Sequence, residues 1–380
     1  MSSKKSLFFS FSLPIDYLSL YREGGEIAYY LSKVYGVSSY IDDYVGNDIC
    51  ADSFRSVTLE RYSVDSSFKS FRKILKIFLR AKDIDILYLL QITPDSLFKM
   101  IAYRLGGGKG KIYLKLDLGI YANNEKDLLV WENMNFFLKI AHFMFKPLPD
   151  IYTVETKQSY ARLSRSYYGD LIGTKLFRLP NGFDPELLEE LGVTRRYVSE
   201  KEKIFLTVGR IGTHQKNTEL LLDVLGDVSL GEWKMYIVGP IEESFLPKIE
   251  AFYQAHPEMK ESVIFTGMIS QREKFLLYDR ARVFVLTSRH EGFAFALVEA
   301  AYMKNYIVST DVGGAEDVLD YTGGYIVPEQ KKEWFVRELQ RIISMSDEES
   351  DQLVFDDERV EMRWDQILAK NMAVKSLIYD

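Results

Sequence analysis

Short apolar runs rich in β-branched and aromatic residues alternate along the chain with longer segments of helical periodicity. This alternation predicts parallel sheets with helices on both faces. The strands predicted in the first half are 6–11, 36–41, 84–92, 111–116 and 150–154. A second series of strands and helices begins at Ile204, after the charged stretch 195–203, which is typical of a linker. The pattern therefore predicts an α/β protein with two sheet-based domains.

One segment of the second half combines a predicted strand-to-helix turn with charged residues. Residues 288–300 read Ser-Arg-His-Glu-Gly-Phe-Ala-Phe-Ala-Leu-Val-Glu-Ala and include Glu291 and Glu299. The apolar residues 283–287 predict a buried strand before it, and the alanine-rich end of the segment predicts a helix. A strand-to-helix turn presents free N–H groups to an anion, while glutamates accept hydrogen bonds from hydroxyls. A nucleotide-sugar fits both features; alternatively, one glutamate caps the helix and the other faces solvent.

Further motifs follow the other predicted strands of this half in a fixed order. They are Leu206-Thr-Val-Gly-Arg210 with Lys216-Asn217, Trp233–Gly239, Val263–Gly267 and Asp311-Val-Gly-Gly314. In order and spacing, the region from Leu179 to Val327 closely resembles the donor-binding half of the retaining glycosyltransferases of family 4. Those enzymes have the GT-B fold and include bacterial glycan-assembly enzymes. The first 150 residues resemble the family less.

The resemblance implies a domain plan. It predicts an α/β protein of GT-B type, in which two Rossmann-like parallel-sheet domains face each other across a cleft. Residues 1–190 would form the acceptor-binding domain, and residues 200–355 the nucleotide-sugar donor-binding domain. The closing segment 356–380, helical in periodicity, would cross back to the first domain.

The resemblance also implies roles for single residues. Arg210 and Lys216 match positions that hold the donor diphosphate. Glu299 would accept hydrogen bonds from the ribose hydroxyls. Glu291 would contact the donor sugar near the reacting carbon, and the backbone N–H groups of Phe293 and Ala294 would hold the sugar or its phosphate.

Two glycine runs occur in the first half. Gly24 and Gly25 precede a predicted helix, and the family places a flexible glycine-rich loop against the diphosphate here; two glycines are also a common turn. The run Gly106–Lys111 lacks the glycine spacing and closing Ser or Thr of a P-loop. It predicts a loop from a helix to a strand.

The sequence departs from the family at two positions. Many members carry a histidine near the donor sugar after the fourth or fifth strand, whereas residues 113–119 contain none. Asp117 is the candidate replacement there as a catalytic residue, able to bind sugar hydroxyls or the acceptor, or else to cap the next element. Ala294 stands where glycine is commoner, which narrows the predicted pocket and affects donor identity.

Composition narrows the function classes. The 380 residues are 47% hydrophobic and 27% charged, which is typical of a globular protein. The net charge of −7 argues against nucleic acid as the main partner. The single Cys50 excludes an internal disulfide, and four scattered histidines predict neither a metal site nor a cofactor. We expect a cytoplasmic protein, since no leader or apolar run of about 20 residues is evident.

One predicted helix is unusually basic. Residues 67–82 place Phe68, Phe71, Leu75 and Phe78 at helical spacing, with Lys and Arg residues between them. Such a helix can lie on an anionic membrane surface, or pack its apolar stripe on the sheet. A second apolar face follows at 136–145.

Together these features predict a retaining, metal-independent hexosyltransferase. Its donor would be a nucleotide-sugar, with a UDP-sugar favoured, and its acceptor a glycan, lipid-linked and used in cell-surface polysaccharide or glycoconjugate synthesis. The enzyme would be peripheral on the inner face of the plasma membrane. The alternatives are a nucleotide-sugar 2-epimerase and a non-catalytic GT-B subunit of a glycosyltransferase complex.

Overall fold

A computed structural model of the chain describes residues 5–15, 20–21, 23–44, 52–61, 69–116, 148–354 and 362–379. These residues form two compact units. The first contains the described residues up to Gly182 and those from Trp364 onwards, and the second contains those from Phe183 to Arg363. The charged stretch 195–203 belongs to the second unit, where the buried Lys201 donates hydrogen bonds to three backbone carbonyls.

The first unit is built on one sheet. Its strands are β1 (Ser6–Ile15), β2 (Ser38–Tyr44), β3 (Ser53–Phe54), β4 (Val57–Arg61), β5 (Ile86–Leu90), β6 (Lys111–Lys115), β7 (Ile151–Val154) and β8 (Leu176–Arg178). They lie in the order β3-β4-β2-β1-β5-β6-β7-β8, and all pairs are parallel except β3 with β4. The five strands predicted for this half are confirmed, and β3, β4 and β8 add to them.

Helices connect these strands. They are α1 (Glu23–Tyr35), α2 (Lys69–Arg80), α3 (Pro94–Leu105), α4 (Lys157–Ser164) and α5 (Tyr167–Ile172). Local chemistry defines the start of α3: Ser96 N donates to Thr93 Oγ1 at 3.1 Å, and Thr93 N donates to Ser96 Oγ at 2.9 Å. Pro94 occupies the first turn, where its missing N–H costs nothing. The loop 106–110 leads from α3 into β6, as predicted.

The second unit has its own parallel sheet. The strands are β9 (Glu202–Val208), β10 (Lys234–Val238), β11 (Val263–Gly267), β12 (Ala281–Leu286), β13 (Tyr306–Thr310) and β14 (Gly324–Val327), in the order β11-β10-β9-β12-β13-β14. The helices are α6 (Pro185–Leu191), α7 (Thr218–Leu225), α8 (Leu246–Ala255), α9 (Gln271–Arg280), α10 (Phe295–Tyr302), α11 (Ala315–Thr322), α12 (Lys332–Ile343) and α13 (Asp347–Asp351). The predicted strand at 283–287 and the helix after it are therefore confirmed.

The closing helices α14 (Trp364–Lys370) and α15 (Met372–Tyr379) pack on the first unit. Trp364 is 1% exposed within the first core. Tyr35 Oη donates to Leu368 O at 2.7 Å, and Asn371 Nδ2 donates to Arg178 O at 2.8 Å. The chain therefore ends in the unit where it begins.

Helix α2 presents Lys73, Lys76 and Arg80 to the sheet. Lys73 is buried and donates to Phe11 O, within β1, at 3.0 Å. Lys76 pairs with Asp42, at 3.2 Å, and with Glu60. Arg80 pairs with the same Glu60 at 2.6 Å. Long basic side chains can bury their stems while their charged ends reach partners.

Four large apolar residues of α2 consequently face outward. Phe71 is 62% exposed, and Leu75, Phe78 and Leu79 are also exposed. The predicted alternative in which Phe71, Leu75 and Phe78 pack on the sheet is therefore wrong, because Lys73, Lys76 and Ile77 occupy that side. Phe68 and the predicted face 136–145 lie outside the described residues. Within the described ranges, no helix combines the length and apolar character needed to cross a membrane.

The ion pairs of Glu60 make the seating of α2 depend on pH. Burial raises the pKa of Glu60, but its bonds to Lys76 and Arg80 outweigh this effect and hold the pKa below its ordinary value. A depressed carboxyl pKa stabilises the fold above the unfolded value of about 4.3, and that contribution is lost as pH falls through the folded pKa. Glu60→Gln should therefore lower the free energy of unfolding near pH 7 by about 1–2 kcal/mol.

Urea unfolding followed from about pH 7 down to about pH 3 measures this effect, and the wild type and the variant should converge at the acid end. Glu232→Gln is the matched control, because Glu232 pairs with Lys203 while 83% exposed. The control should change stability by less than about 1 kcal/mol. A deficit of Glu60→Gln that stays constant with pH would contradict this account.

Candidate functional site

Three loops meet at one edge of the second sheet. They comprise residues 209–217, 287–294 and 311–314 and follow β9, β12 and β13, which lie side by side. Parallel strands end at the same edge, and ligands of doubly wound sheets bind there. This edge therefore collects the site residues predicted for the second unit.

Hydrogen bonds to backbone carbonyls fix the first two loops to each other. Thr287 Oγ1 lies 3.2 Å from Lys216 O and from Asn217 O, within hydrogen-bonding reach of both. Arg289 N donates to Gln215 O at 2.8 Å. The separation between the side chains on these loops is therefore set by the backbone and does not rely on side-chain packing alone.

Four polar side chains form one network across these loops. Lys216 Nζ lies 2.6 Å from Glu291 Oε1. Gln215 Nε2 donates to Glu291 Oε2 at 3.0 Å and to His290 O at 3.2 Å. Arg210 Nη2 donates to Gln215 Oε1 at 2.8 Å. The structure thus brings together the predicted residues Arg210, Lys216 and Glu291, with Gln215 between them.

The third loop packs closely against the backbone of Glu291. A Cβ on Gly313 would lie closer than 3.0 Å to the backbone oxygens of Glu291 and Gly292. Gly314 has φ +85°, and its ideal Cβ would meet the Phe293 ring at 3.0 Å. Any side chain at 313 would therefore push the Glu291 backbone out of place, which explains the paired glycines.

Glu299 lies on α10 and has a cationic partner. Lys274 Nζ, on α9, lies 2.7 Å from Glu299 Oε1. Both side chains are largely buried, with 17% and 19% exposure. Burial raises the pKa of the neighbouring Tyr278 well above its ordinary value, and the Glu299 carboxylate raises it further. Glu299 is thus an oriented acceptor in a partly desolvated setting.

Phe293 and Ala294 lie just before α10. Both are buried, and Ala294 N donates a long hydrogen bond of 3.4 Å to Gly313 O. Ala294 occupies the N-cap position but has no side-chain acceptor, so no side chain caps the first-turn N–H groups of α10. These groups suit an anionic ligand.

Gly24 and Gly25 belong to the first unit and lie inside the first turn of α1, whereas the sequence placed them before the helix. An ideal Cβ on Gly24 would lie closer than 3.0 Å to the Phe11 ring, and one on Gly25 equally close to Leu20 O. Packing therefore requires both glycines. Their position in a first turn still leaves N–H groups without helical acceptors.

Three residues remain to be placed: Asp117, Gln215 and Lys274. Asp117 lies outside the described residues. The sequence did not predict a role for Gln215 or Lys274, although Gln215 directly precedes the predicted Lys216. Lys274 carried no signal, because its partner Glu299 is 25 residues away on another helix.

The chemistry of this edge is specific. Two cationic side chains and a helix start can hold a phosphate-bearing anion, while two oriented carboxylates can accept hydrogen bonds from hydroxyls. Arg210 is exposed, whereas Lys216 and Glu291 are mostly buried at 18% and 8% exposure. The edge therefore combines a charged entrance with a drier interior.

Comparison with known proteins agrees with this chemistry. Residues 202–345 match the family described as glycosyl transferases group 1. This matched segment lies within the second unit. The chain is also 34% identical over 154 residues to the amylovoran biosynthesis glycosyltransferase AmsD of Erwinia amylovora, covering 38% of this chain and 40% of AmsD. It spans 40% or less of the length of the curated relatives it matches.

Solved structures resemble the whole chain. The lipopolysaccharide outer core galactosyltransferase WaaB, in its apo form, has a TM-score of 0.64 and 15% identity, covering 98% of this chain and 99% of WaaB. HepE of Anabaena, in complex with UDP and glucose, has a TM-score of 0.61 and 14% identity, covering 98% and 97%. These likenesses show that the chain has the GT-B fold.

The support of Glu291 by Gly313 can be tested directly. Gly313→Ala should displace the backbone at 291–294, with an overpacking cost of about 1–3 kcal/mol. We expect a lower melting temperature and faster amide hydrogen exchange in the peptide that contains Glu291.

Gly231→Ala is the matched control. Gly231 has a positive φ of +56°, which Gly313 does not, and nothing lies within 4 Å of its ideal Cβ. The control should lose about 1–2 kcal/mol from backbone strain while exchange at 291–294 stays as in the wild type. Unchanged exchange at 291–294 in Gly313→Ala would refute the supporting role.

Proposed function

We propose that this protein is a glycosyltransferase that moves a hexose from a nucleotide-sugar, with a UDP-sugar favoured, to a glycan acceptor. The observation that carries the proposal is the network of Arg210, Gln215, Glu291 and Lys216 at the carboxyl edge of a parallel sheet. The segment that matches the group 1 family contains all four residues. The match and the network therefore point to the same edge.

The leaving group explains the two cations. Departure of a nucleoside diphosphate places growing negative charge on phosphate oxygens, which fixed cations stabilise. The Arg210 guanidinium can bind two oxygens at once, and Lys216 acts as a point charge. We therefore infer a metal-independent reaction. A diphosphate at this edge would compete with Glu291 for Lys216.

The two glutamates would handle the hydroxyls of the donor. Glu299 would accept hydrogen bonds from the ribose, and Lys274 would keep its carboxylate oriented. Glu291 would orient the donor sugar beside the reacting carbon. Transfer would retain the anomeric configuration by front-face attack, with positioning as the main source of rate. Asp117 would bind sugar hydroxyls or the acceptor.

The choice of donor and acceptor rests on the related proteins. HepE binds UDP and glucose, which supports a UDP-sugar donor. WaaB is named for the lipopolysaccharide outer core, and AmsD for amylovoran biosynthesis. These names support a lipid-linked glycan acceptor and a role in cell-surface polysaccharide or glycoconjugate synthesis.

Nucleotide binding tests the proposal. UDP at about 100 times its dissociation constant should stabilise the protein by roughly 2.7 kcal/mol, measured as a rise in melting temperature. Glu299→Ala should weaken this effect, because the ribose loses an oriented acceptor. A parallel screen with GDP, dTDP, ADP and CMP identifies the donor class.

Glu333→Ala is the matched control, since Glu333 is an exposed glutamate on α12. The control should keep the full shift. If no nucleotide stabilises the wild type, the proposed enzyme function is wrong, and the protein is better interpreted as a non-catalytic GT-B subunit. If a nucleotide binds and Glu299→Ala binds it equally well, the ribose assignment is wrong.

We further propose that α2 places the enzyme on an anionic membrane surface at the inner face of the plasma membrane. Phe71, Leu75, Phe78 and Leu79 are exposed on α2, and Phe98 and Leu105 are exposed on α3, which packs beside it. Arg72 and Lys82 are exposed on the same helical segment. Apolar side chains next to cations suit the boundary between acyl chains and anionic headgroups. A lipid-linked acceptor would be reached there.

Vesicle binding tests this surface. The wild type should sediment with vesicles containing phosphatidylglycerol, and less with phosphatidylcholine alone. Phe71→Ser with Phe78→Ser should weaken binding by at least about tenfold, because each exposed ring contributes roughly 1–2 kcal/mol on insertion. The matched control is Tyr197→Ser with Leu246→Ser, since these residues are exposed on the second unit. Equal binding by both double variants would show that α2 does not form the membrane contact.

A further inference from the structure

Gln215 occupies the centre of the charged network. Its Oε1 accepts from Arg210 at 2.8 Å, and its Nε2 donates to Glu291 Oε2 at 3.0 Å. The same amide donates to His290 O at 3.2 Å. Its own backbone oxygen accepts from Arg289 N at 2.8 Å. Both the side chain and the backbone of Gln215 thus connect the loops after β9 and β12.

The hydrogen bonds at position 215 require a side chain that both accepts and donates, as an amide does. A guanidinium only donates hydrogen bonds and an ionised carboxylate only accepts them. A group that links Arg210 to Glu291 must therefore accept on one side and donate on the other. The glutamine amide does both without adding charge beside Glu291.

The two oxygens of Glu291 have different partners. Oε1 lies 2.6 Å from Lys216 Nζ, while Oε2 accepts from Gln215. When a donor diphosphate draws Lys216 away, the bond from Gln215 is the contact that still orients the carboxylate. Loss of this bond would leave Glu291 free to rotate at the moment of transfer.

We propose that Gln215 is a positioning residue that holds the Arg210 guanidinium and the Glu291 carboxylate in register for sugar transfer. This inference rests on the proposed glycosyltransferase function. It predicts that Gln215 acts mainly on the turnover number, because its bond to Glu291 orients the sugar and makes no contact with the ribose acceptor Glu299.

Gln215→Glu separates this role from a general structural one. The variant keeps an acceptor for Arg210 but sets a carboxylate against Glu291, where like charges repel. The groups that face position 215 are Arg210, Lys216 and Glu291, with His214, Arg289 and His290 beside them. At lower pH one proton can sit between the two carboxylates and restore a donor.

The experiment measures kcat and KM for hexose transfer from the UDP-sugar between about pH 6 and pH 8.5, with UDP binding by thermal shift. Gln215→Glu should lose about 10- to 100-fold in kcat at the alkaline end and recover part of it at the acid end. UDP binding should stay within about threefold of the wild type. Gln215→Leu, which cannot regain a donor, should lose activity at every pH.

Gln340→Glu is the matched control, because Gln340 is an exposed glutamine on α12. It should follow the wild-type profile. A wild type that neither binds a nucleotide nor transfers a sugar overturns the proposed function, and the role of Gln215 with it. An active wild type matched by Gln215→Glu across the pH range, or a pH-independent loss in that variant, overturns the role of Gln215 alone.

Discussion

The contact between Lys216 Nζ and Glu291 Oε1, 2.6 Å long, is the interaction on which the candidate site depends. It joins loops that follow β9 and β12, two neighbouring strands. A largely buried ion pair is tolerated only when the remaining capacity of both groups is satisfied. Gln215 donates a hydrogen bond to the second oxygen of Glu291 and accepts one from Arg210. An anion that engages Lys216 therefore competes with Glu291 Oε1, while the bond from Gln215 to Oε2 can remain.

Buried lysines organise the first unit by similar physics. Lys73 and Lys99 both donate to Phe11 O, within β1, at 3.0 and 2.8 Å. Burial lowers the pKa of Lys99, and the 2.7 Å ion pair with Asp95 opposes that shift. One carbonyl thus anchors two helices, α2 and α3. Because α2 uses basic residues for this anchoring, Phe71, Leu75, Phe78 and Leu79 lie on the outer surface.

The sequence could predict which residues share a face, but it could not predict which face turns inward. Period and apolar runs were sufficient for the strands around β1, β5, β6, β7 and β12. Helix α2 was ambiguous, because its partners Asp42 and Glu60 lie on strands that are distant along the chain. For the same reason the motif around Lys216 was visible, whereas the role of Gln215 was not: its partner Glu291 is 76 residues away.

Close packing requires glycine at several positions, and at one of them it also positions a residue of the candidate site. At Gly24 and Gly25, packing against Phe11 and Leu20 is enough to require glycine, so the pair alone does not identify a phosphate loop. Gly313 differs, because the backbone that it allows to approach is that of Glu291. A methyl group there would displace the carboxylate that Lys216 and Gln215 hold. At this position the demand for close packing therefore places a residue of the candidate site, and fold and chemistry select the same amino acid.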